Sequence, residues 1–139
     1  MPILNLTLSS EPSTELAQRA AATLLHLTST ILHKAPALTS IAVAFVPAAH
    51  WYVGGDSLAQ LGRHSFFLDI KVTDETNTAT EKAAYIAAVY AAMESLLGAL
   101  HEGTLHEVSY VRIDDARAAA WGYGGLSQQY RAVARELAR

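Results

Sequence analysis

The sequence contains no cysteine. A disulfide framework, a thiolate nucleophile, an iron–sulfur cluster and a cysteine-ligated zinc site are therefore excluded. Charged residues are also scarce: they make up 17% of the chain, and 10 basic and 13 acidic residues give a net charge of −3. Because the sequence has no basic tract, we expect no nucleic acid among its partners.

Long apolar runs are missing as well, although 51% of the residues are hydrophobic. Arg19, His26, His33 and Lys34 interrupt the first long apolar region, which is therefore too short for the roughly 20 apolar residues of a membrane span. The chain opens with an alternating pattern rather than the basic and then apolar start of a secretory signal. We expect a soluble, cytoplasmic protein without a membrane partner, folded as a single domain over residues 1–139.

The chain consists of two similar units, at about residues 2–63 and 66–130. Each unit begins with a strand of alternating apolar residues, continues with an amphipathic helix and a β-rich run, and ends in a Trp-x-x-Gly-Gly tail. The strands are predicted at Leu4–Leu8 and Leu68–Val72, the helices after Ser13 and Thr78, the β-rich runs at Ile41–Val46 and Val108–Ile113, and the tails at Trp51–Gly55 and Trp121–Gly125. The order and spacing of these parts indicate an internal duplication.

Sequence signals mark the ends of both helices. Ser13 is a favourable N-cap for the first helix, which should end before Pro36 because the residue preceding a proline disfavours helical backbone. Thr78 and Glu81 form a capping box at the start of the second helix, and Gly103 provides its stop. Each repeat is therefore predicted to be a β-α-β unit.

A β-α-β crossover is right-handed and joins parallel strands, with its helix on one face of the sheet. Two such units predict an α/β (α+β) fold in which a four-stranded sheet carries two helices on one face. By strand parity, Ala42, Ala44, Phe67 and Tyr110 lie on the other face. An open face that is half apolar predicts another layer, and we expect further copies of the chain to supply it.

Pro2 directly after the initiator methionine, a β-α-β unit and an aromatic-x-x-Gly-Gly tail together resemble the tautomerase superfamily. 4-Oxalocrotonate tautomerase (4-OT) is the single-unit form, and the doubled unit is similar to fused members such as malonate semialdehyde decarboxylase and cis-3-chloroacrylate dehalogenase. The resemblance covers both units. It implies a tautomerase-like fold, removal of Met1, assembly into a homotrimer, and chemistry without a cofactor or metal.

The resemblance implies that the amine of Pro2 is a general base when neutral and a general acid when protonated. A chain-terminal amine titrates closer to neutrality than a lysine, and burial in an apolar pocket lowers its pKa further, towards the working pH at which a base is most effective. Phe66 takes the place of Pro2 in the second unit, so we expect one proline site per chain. The implied function is that of a tautomerase or isomerase of a small carbonyl compound, such as a 2-oxo acid with one carboxylate.

The arginines with which the tautomerase prototype binds carboxylates are not retained at the matching positions. Arginine suits that task because its planar fork forms two hydrogen bonds with a carboxylate. The helix-start positions hold Pro12 and Thr76, the second-strand positions hold Ala42 and Tyr110, and the positions before the second helix, where decarboxylase-like members carry arginine, hold Glu75 and Asn77. A dicarboxylate substrate is therefore not expected.

Arg112 is a candidate replacement for one of these arginines. It lies two residues after Tyr110 on the same strand face, and we include both among the candidate substrate-binding residues. The structural alternative for Arg112 is an ion pair with Asp114 or Asp69 within the sheet.

Trp121 and Tyr123 fall where the resemblance places aromatic residues near the proline. They would form an apolar wall beside the amine, and the Tyr123 hydroxyl would bond a substrate oxygen; the alternative is that they only join neighbouring subunits. Asn77 lies at the N-terminus of the second helix, whose free amides can hold an anion. A polar cap is the alternative role for Asn77.

Other interpretations stay open beside the tautomerase. A related hydratase or decarboxylase would need a carboxylate to activate water, for which Asp114 and Glu75 are the candidates. A tautomerase-fold protein with an inert Pro2 would serve only in binding or assembly. A ferredoxin-like ligand-binding domain would use antiparallel strands and gives no reason for the Trp-x-x-Gly-Gly tails. His101 and His106 do not have the spacing of a helical metal pair, so no metal site is expected.

Overall fold

The computed structural model of the chain describes residues 2–100 and 103–139, so Met1 and His101 lie outside the described residues. The helices in these ranges are α1 (Thr14–Leu32), α2 (Leu58–Leu61), α3 (Ala79–Leu100) and α4 (Gln128–Leu137). The strands are β1 (Ile3–Leu8), β2 (Ser40–Phe45), β3 (Tyr52–Val53), β4 (Asp56–Ser57), β5 (Arg63–His64), β6 (Phe66–Thr73), β7 (Thr104–Leu105), β8 (Tyr110–Ala116), β9 (Gly122–Tyr123) and β10 (Leu126–Ser127). Short 3₁₀ turns occupy Pro36–Leu38, Ala48–His50 and Ala118–Ala120.

Four strands form one mixed sheet in the order β2-β1-β6-β8. β1 runs parallel to β2, and β6 runs parallel to β8, as expected of two β-α-β units. The central strands β1 and β6 are antiparallel, with Ile3 opposite both Ser40 on β2 and Lys71 on β6. The parallel pair within each unit fits the predicted tautomerase-like sheet and not the ferredoxin-like alternative.

The core lies between the sheet and the two long helices, which pack on the same face. Alternate residues of β1 and β6 are buried there, and every third or fourth residue of α1 and α3 meets them. The buried set from these elements is Leu4, Leu6, Leu8, Leu16, Ala20, Leu24, Thr28, Leu32, Phe66, Leu68, Ile70, Val72, Tyr85, Val89, Met93 and Leu97. Full burial of one such leucine or isoleucine stabilises the fold by about 1.5–3 kcal/mol.

The predicted starts of both long helices and the predicted end of α1 are confirmed, whereas residues 101 and 102, just before the predicted stop of α3 at Gly103, lie outside the described residues. The Ser13 side chain accepts a hydrogen bond from the Leu16 amide at 3.1 Å, and α1 ends at Leu32, four residues before Pro36. The Thr78 amide donates to the Glu81 carboxylate at 2.8 Å, while the Thr78 hydroxyl accepts from the Glu81 amide at 3.1 Å. This reciprocal pair is the predicted capping box of α3.

Both Trp-x-x-Gly-Gly tails form hairpins, in which β3 pairs with β4 and β9 with β10. Gly124 and Gly125 have φ of 60° and 80°, a left-handed backbone that glycine adopts without the cost of a Cβ. Helix α4 follows the second hairpin and was not predicted; it continues to Leu137, past the expected end of the unit at 130. Its signal was Ser127, whose side chain caps α4 as Ser57 caps α2 in the first unit.

Strand β8 lies further along the chain than the prediction of Val108–Ile113. It begins at Tyr110 because the Val108 amide is bonded to His106 Nδ1 at 3.0 Å in a local turn. It continues to Ala116, which pairs with Thr73 at the end of β6. The prediction was therefore two residues early at the start and three short at the end.

The sheet face opposite the helices is open and partly apolar, as strand parity predicted. Phe67 and Tyr110 are opposite each other on β6 and β8 and are 43% and 65% exposed. Ile3 is 39% exposed on β1, and Ala42 and Ala44 are exposed on β2. These side chains form one surface across all four strands.

Candidate functional site

The antiparallel pairing of β1 and β6 gathers parts of both units at one edge of the sheet. The amino ends of β1 and β2 and the carboxyl ends of β6 and β8 meet there. Pro2 precedes β1, and the loop 74–78 that leads into α3 follows β6. The start of the first unit therefore lies beside the helix-start loop of the second.

Pro2 is buried at this edge. Its carbonyl accepts a hydrogen bond from the Ser40 amide at 3.2 Å. Pro2 therefore lies one residue before Ile3, where the pairing of β1 with β2 begins. Leu38, in the turn before β2, and Thr73, at the end of β6, both line a cavity near this edge. Pro2 does not line that cavity itself. Its nitrogen is in the peptide bond to Met1, so a free amine needs removal of Met1.

The cavity has a volume of about 840 Å³, enough for a small organic molecule. The end of α1, the end of β6, the second hairpin and α4 form its walls. Its lining consists of His33, Lys34, Ala35, Leu38, Thr73, Thr76, Ala118, Tyr123, Leu126, Gln128, Tyr130, Arg131, Ala132, Ala134, Arg135 and Ala138. Helix α4, which the sequence analysis missed, thus contributes much of the wall.

The charges that line the cavity are of one sign. Lys34, Arg131 and Arg135 are basic, and no aspartate or glutamate is among the lining residues in the described ranges. Arg131 is held in place by Tyr123, because Nη2 donates to the Tyr123 carbonyl at 3.0 Å and the guanidinium lies 3.9 Å from the centre of the Tyr123 ring. The cavity is therefore suited to an anion such as a carboxylate.

Lys34 is a site residue that the sequence analysis did not select. It follows the left-handed C-cap of α1 at His33, and its side chain is directed to the helix-start loop, where Nζ donates to Thr76 Oγ1 at 2.8 Å. Lys34 is only 9% exposed, and this burial lowers the pKa of its amine, against the smaller opposing effect of Glu81 and Asp115. In the sequence, Lys34 is recognisable only as a basic residue just after the end of a helix. That position does not show that Thr76 lies beside its amine.

Lys34 lies close to one of the positions at which an expected arginine is not retained. Thr76 occupies a helix-start position where the tautomerase prototype was expected to carry arginine, and the amine of Lys34 bonds to that threonine. The Lys34 amine thus reaches this place from the segment after α1 instead of from the loop. Ala42 and Tyr110, at the second-strand positions, lie exposed on the open face.

Asn77 connects the loop to α1. Its Nδ2 donates to the Leu32 carbonyl at 3.0 Å, and His33 Nε2 lies 3.2 Å from the Glu81 carboxylate beside it. The Thr78 amide holds the pKa of the Glu81 carboxyl below its ordinary value. Asn77 does not line the cavity in the described structure, and its side-chain amide also donates to the Glu81 carboxylate at 3.5 Å.

The remaining predicted site residues are divided among three places. Tyr123 lines the large cavity, whereas Trp121 lines a smaller one of about 310 Å³ in the same hairpin, with Nε1 buried and unbonded among the described residues. Tyr110 and Arg112 lie on the open face. Arg112 forms no ion pair among the described residues, since Asp69 pairs with Lys71. One chain therefore does not bring Tyr110, Arg112 or Trp121 to the cavity beside Pro2.

Metal and membrane features are not found in the described part of the chain. No cluster of three or more histidine, aspartate or glutamate side chains there could hold a metal ion. No helix in the described ranges is both long and apolar enough to cross a bilayer.

Comparison with solved structures identifies the fold. Native fused 4-OT superposes with a TM-score of 0.79 at 21% identity, over 94% of this chain and 98% of that one. Pt0534 inactivated by 2-oxo-3-pentynoate gives a TM-score of 0.77 at 15% identity, over 93% and 98% of the two chains. Macrophage migration inhibitory factor from Toxoplasma gondii gives 0.71 at 14% identity, over 90% and 98%.

These similarities extend over nearly the whole chain, so the chain has the fused tautomerase fold, and the predicted α+β architecture of two β-α-β units is confirmed. No protein-family model matches the sequence, and no curated protein matches it either.

Proposed function

We propose that the chain is a tautomerase-superfamily enzyme that uses the amine of Pro2, freed by removal of Met1, to tautomerise a small 2-oxo acid. The observation that carries the proposal is the burial of Pro2 at the sheet edge where a cavity is also found, whose charged lining residues in the described ranges are all basic. The similarity in fold to Pt0534, which 2-oxo-3-pentynoate inactivates, supports a 2-oxo acid as the ligand.

The proposed reaction needs one amine and an anion site. The neutral Pro2 amine takes a proton from the carbon next to the carbonyl, and the electron pair of that C–H bond moves into the enolate. The protonated amine then returns the proton to oxygen or carbon, so the reaction is balanced without a further reactant. The guanidinium groups of Arg131 and Arg135 hold the carboxylate.

The composition of the cavity favours tautomerisation over the related hydration or decarboxylation. Those reactions would require a carboxylate that activates water, and the lining in the described ranges contains none. Asp114 lies on β8 and Glu75 in the exposed turn before α3, and neither lines the cavity. A single amine that moves one proton is sufficient for keto–enol chemistry.

We further propose a homotrimer in which the open sheet face is covered by neighbouring copies. Two of the fused 4-OT structures with this fold are described as a symmetric and an asymmetric trimer. In such an assembly Tyr110 and Arg112 would face a neighbouring subunit, so their predicted substrate contacts depend on assembly. The cytoplasmic location and the division into two repeats stay predictions.

The proposal is tested by the ketonisation rate of a 2-oxo acid enol, followed by ultraviolet absorbance, in protein whose mass shows that Met1 is absent. Pro2→Ala should lower kcat/KM by about 100-fold or more, since a positioned general base contributes roughly that factor. The matched control is the unprocessed chain, in which Met1 acylates the same nitrogen. It should be inactive with an unchanged circular dichroism spectrum. Full activity in either form would refute the proposal, and inactivity of the processed wild type would favour the binding or assembly role.

A further inference from the structure

The chain contains three lysines, at positions 34, 71 and 82, and one of them differs from the others in its partner. Lys71 Nζ lies 2.8 Å from the Asp69 carboxylate, and Lys82 Nζ lies 2.6 Å from that of Asp115. Lys34 forms no ion pair among the described residues, although it is the most buried of the three. An ammonium group that is buried without a counter-ion is disfavoured relative to the neutral amine.

Among the described residues, the hydrogen-bond partner of the Lys34 side chain accepts equally well from either form of the amine. The Thr76 hydroxyl donates its own proton to the Thr73 carbonyl at 2.5 Å, so it is an acceptor towards Lys34 at 2.8 Å. A neutral amine still has N–H groups to donate to Thr76, and its lone pair stays available to react with a ligand. The acidic groups that oppose the neutral form are Glu81 on α3 and Asp115 on β8, and desolvation outweighs both.

Lys34 and Thr76 both line the cavity of about 840 Å³, so this amine borders the space in which we place the 2-oxo acid. Arg131 and Arg135, on the opposite element α4, would hold the carboxylate of such a ligand and leave its carbonyl group available. Lys34 is thus a buried lysine that borders a cavity suited to negatively charged carbonyl compounds. These are the surroundings of a nucleophilic amine.

We propose that Lys34 is a second reactive amine of this cavity, which condenses reversibly with the carbonyl group of a small 2-oxo acid to form an imine. The lone pair of Nζ adds to the carbonyl carbon while the C=O pair moves to oxygen. Proton transfer from nitrogen to oxygen gives a carbinolamine, and loss of water leaves the C=N bond. No oxidant or reductant takes part. The proposal takes its ligand class from the proposed function, but it does not require the amine of Pro2.

Borohydride trapping with pyruvate, followed by peptide mapping, tests the proposal, because hydride reduces an imine to a stable secondary amine on the residue that formed it. The unprocessed chain is used first, since its Pro2 nitrogen is an amide. Lys34 should acquire the adduct faster than Lys71 or Lys82, because burial lowers its pKa and leaves more of its amine neutral, whereas the other two lysines are held in ion pairs. Equal labelling of the three lysines, or no adduct on Lys34, would overturn the proposal.

Lys34→Arg keeps a hydrogen-bond donor next to Thr76 but cannot form the imine, and it should abolish the fast adduct. The comparison among the three lysines of the wild type does not depend on the folding of this variant. Processed protein separates the two proposals. An adduct on Pro2 alone would support the proposed function and contradict the role of Lys34, whereas an adduct on Lys34 with an unreactive Pro2 would do the reverse.

Discussion

Arg131 illustrates how one side chain is fixed for binding. The Tyr123 carbonyl and ring hold its guanidinium at the wall of the cavity, where no carboxylate competes among the described lining residues. A charge-assisted hydrogen bond contributes about 1.5–3 kcal/mol, which corresponds to roughly ten- to a hundredfold in affinity.

Arg131→Gln should therefore raise the KM for a 2-oxo acid about tenfold or more and change kcat much less, because the carboxylate contact is present in both ground and transition states. Steady-state kinetics of the keto–enol reaction measure both constants. Arg139→Gln is the matched control, since Arg139 is exposed, pairs with Glu136 and does not line the cavity. An equal change in both variants would contradict a carboxylate contact at Arg131.

At this scale the sequence predicted some site residues and missed others for a definite reason. Pro2 was proposed from its position and its repeat context, and Tyr123, which lines the cavity, from its place in the tail. Lys34 was missed because its partner Thr76 is 42 residues away and meets it only when α1 packs beside the helix-start loop. Arg131 was missed because α4 itself was not predicted.

Among the elements, α1 and α3 are joined through a buried polar contact. Thr28 Oγ1 and the Tyr85 hydroxyl lie 2.8 Å apart at the helix interface, and both side chains have 0% exposure. Desolvation of the phenolate raises the pKa of Tyr85 to about 12. The hydrogen bond with Thr28 opposes this shift in part.

The raised pKa predicts an alkaline loss of stability. Below pH 10, Tyr85 is protonated in both folded and unfolded chains. Above it the unfolded chain releases the proton first, so the free energy of unfolding should fall by up to about 1.4 kcal/mol per pH unit until the folded pKa is reached. Tyr85→Phe should remove this slope and cost about 1 kcal/mol at neutral pH, because Thr28 loses its partner.

Urea denaturation at about pH 9 and about pH 11 measures the slope. Tyr90→Phe, on the same helix, is the matched control and should keep the slope because it retains Tyr85. An identical alkaline slope in the Tyr85→Phe variant would show that another group causes the loss.

The elements differ in how well their sequence signals specified them. The long helices α1 and α3 combine apolar periodicity with strong N-caps. Both helices were predicted with their starts, and α1 also with its end. The short helix α4 buries only Gln128 among its residues, so periodicity towards a core gave no signal there. The start of β8 is set by the turn at His106, and its end is set by pairing with β6. Neither contact can be read from the residues of β8 alone.

For the molecule as a whole, the open sheet face is a partly apolar surface without a partner in the described chain. Phe67 and Tyr110 pair on it across β6 and the edge strand β8. A charge at either position would be buried without a counter-ion in a trimer but would stay solvated in a monomer.

Phe67→Asp and Tyr110→Asp should therefore convert a trimer into monomers, as sedimentation velocity would detect. Ile86→Asp on α3 is the matched control, because Ile86 is 42% exposed on the helix layer, away from the open face. It should leave the trimer intact. A wild-type chain that sediments as a monomer would contradict the assembly.

The repeat in the sequence predicted two β-α-β units and their sheet but not how the units join. The units join through the antiparallel pairing of β1 with β6. This pairing places Pro2 beside the loop that precedes α3 and not beside the loop that precedes α1. The candidate site is a consequence of this pairing, and so it was only implied by the resemblance to fused tautomerases.

The most direct test of the account is labelling with 2-oxo-3-pentynoate at neutral pH, followed by intact mass and peptide mapping beside the residual keto–enol activity. The account predicts that, in protein without Met1, activity falls in step with one adduct on Pro2, whatever label Lys34 acquires. The unprocessed chain should carry no adduct on Pro2. Loss of activity while Pro2 stays unmodified, or full activity after Pro2 is completely modified, would contradict the central claim that the amine of Pro2 moves the proton.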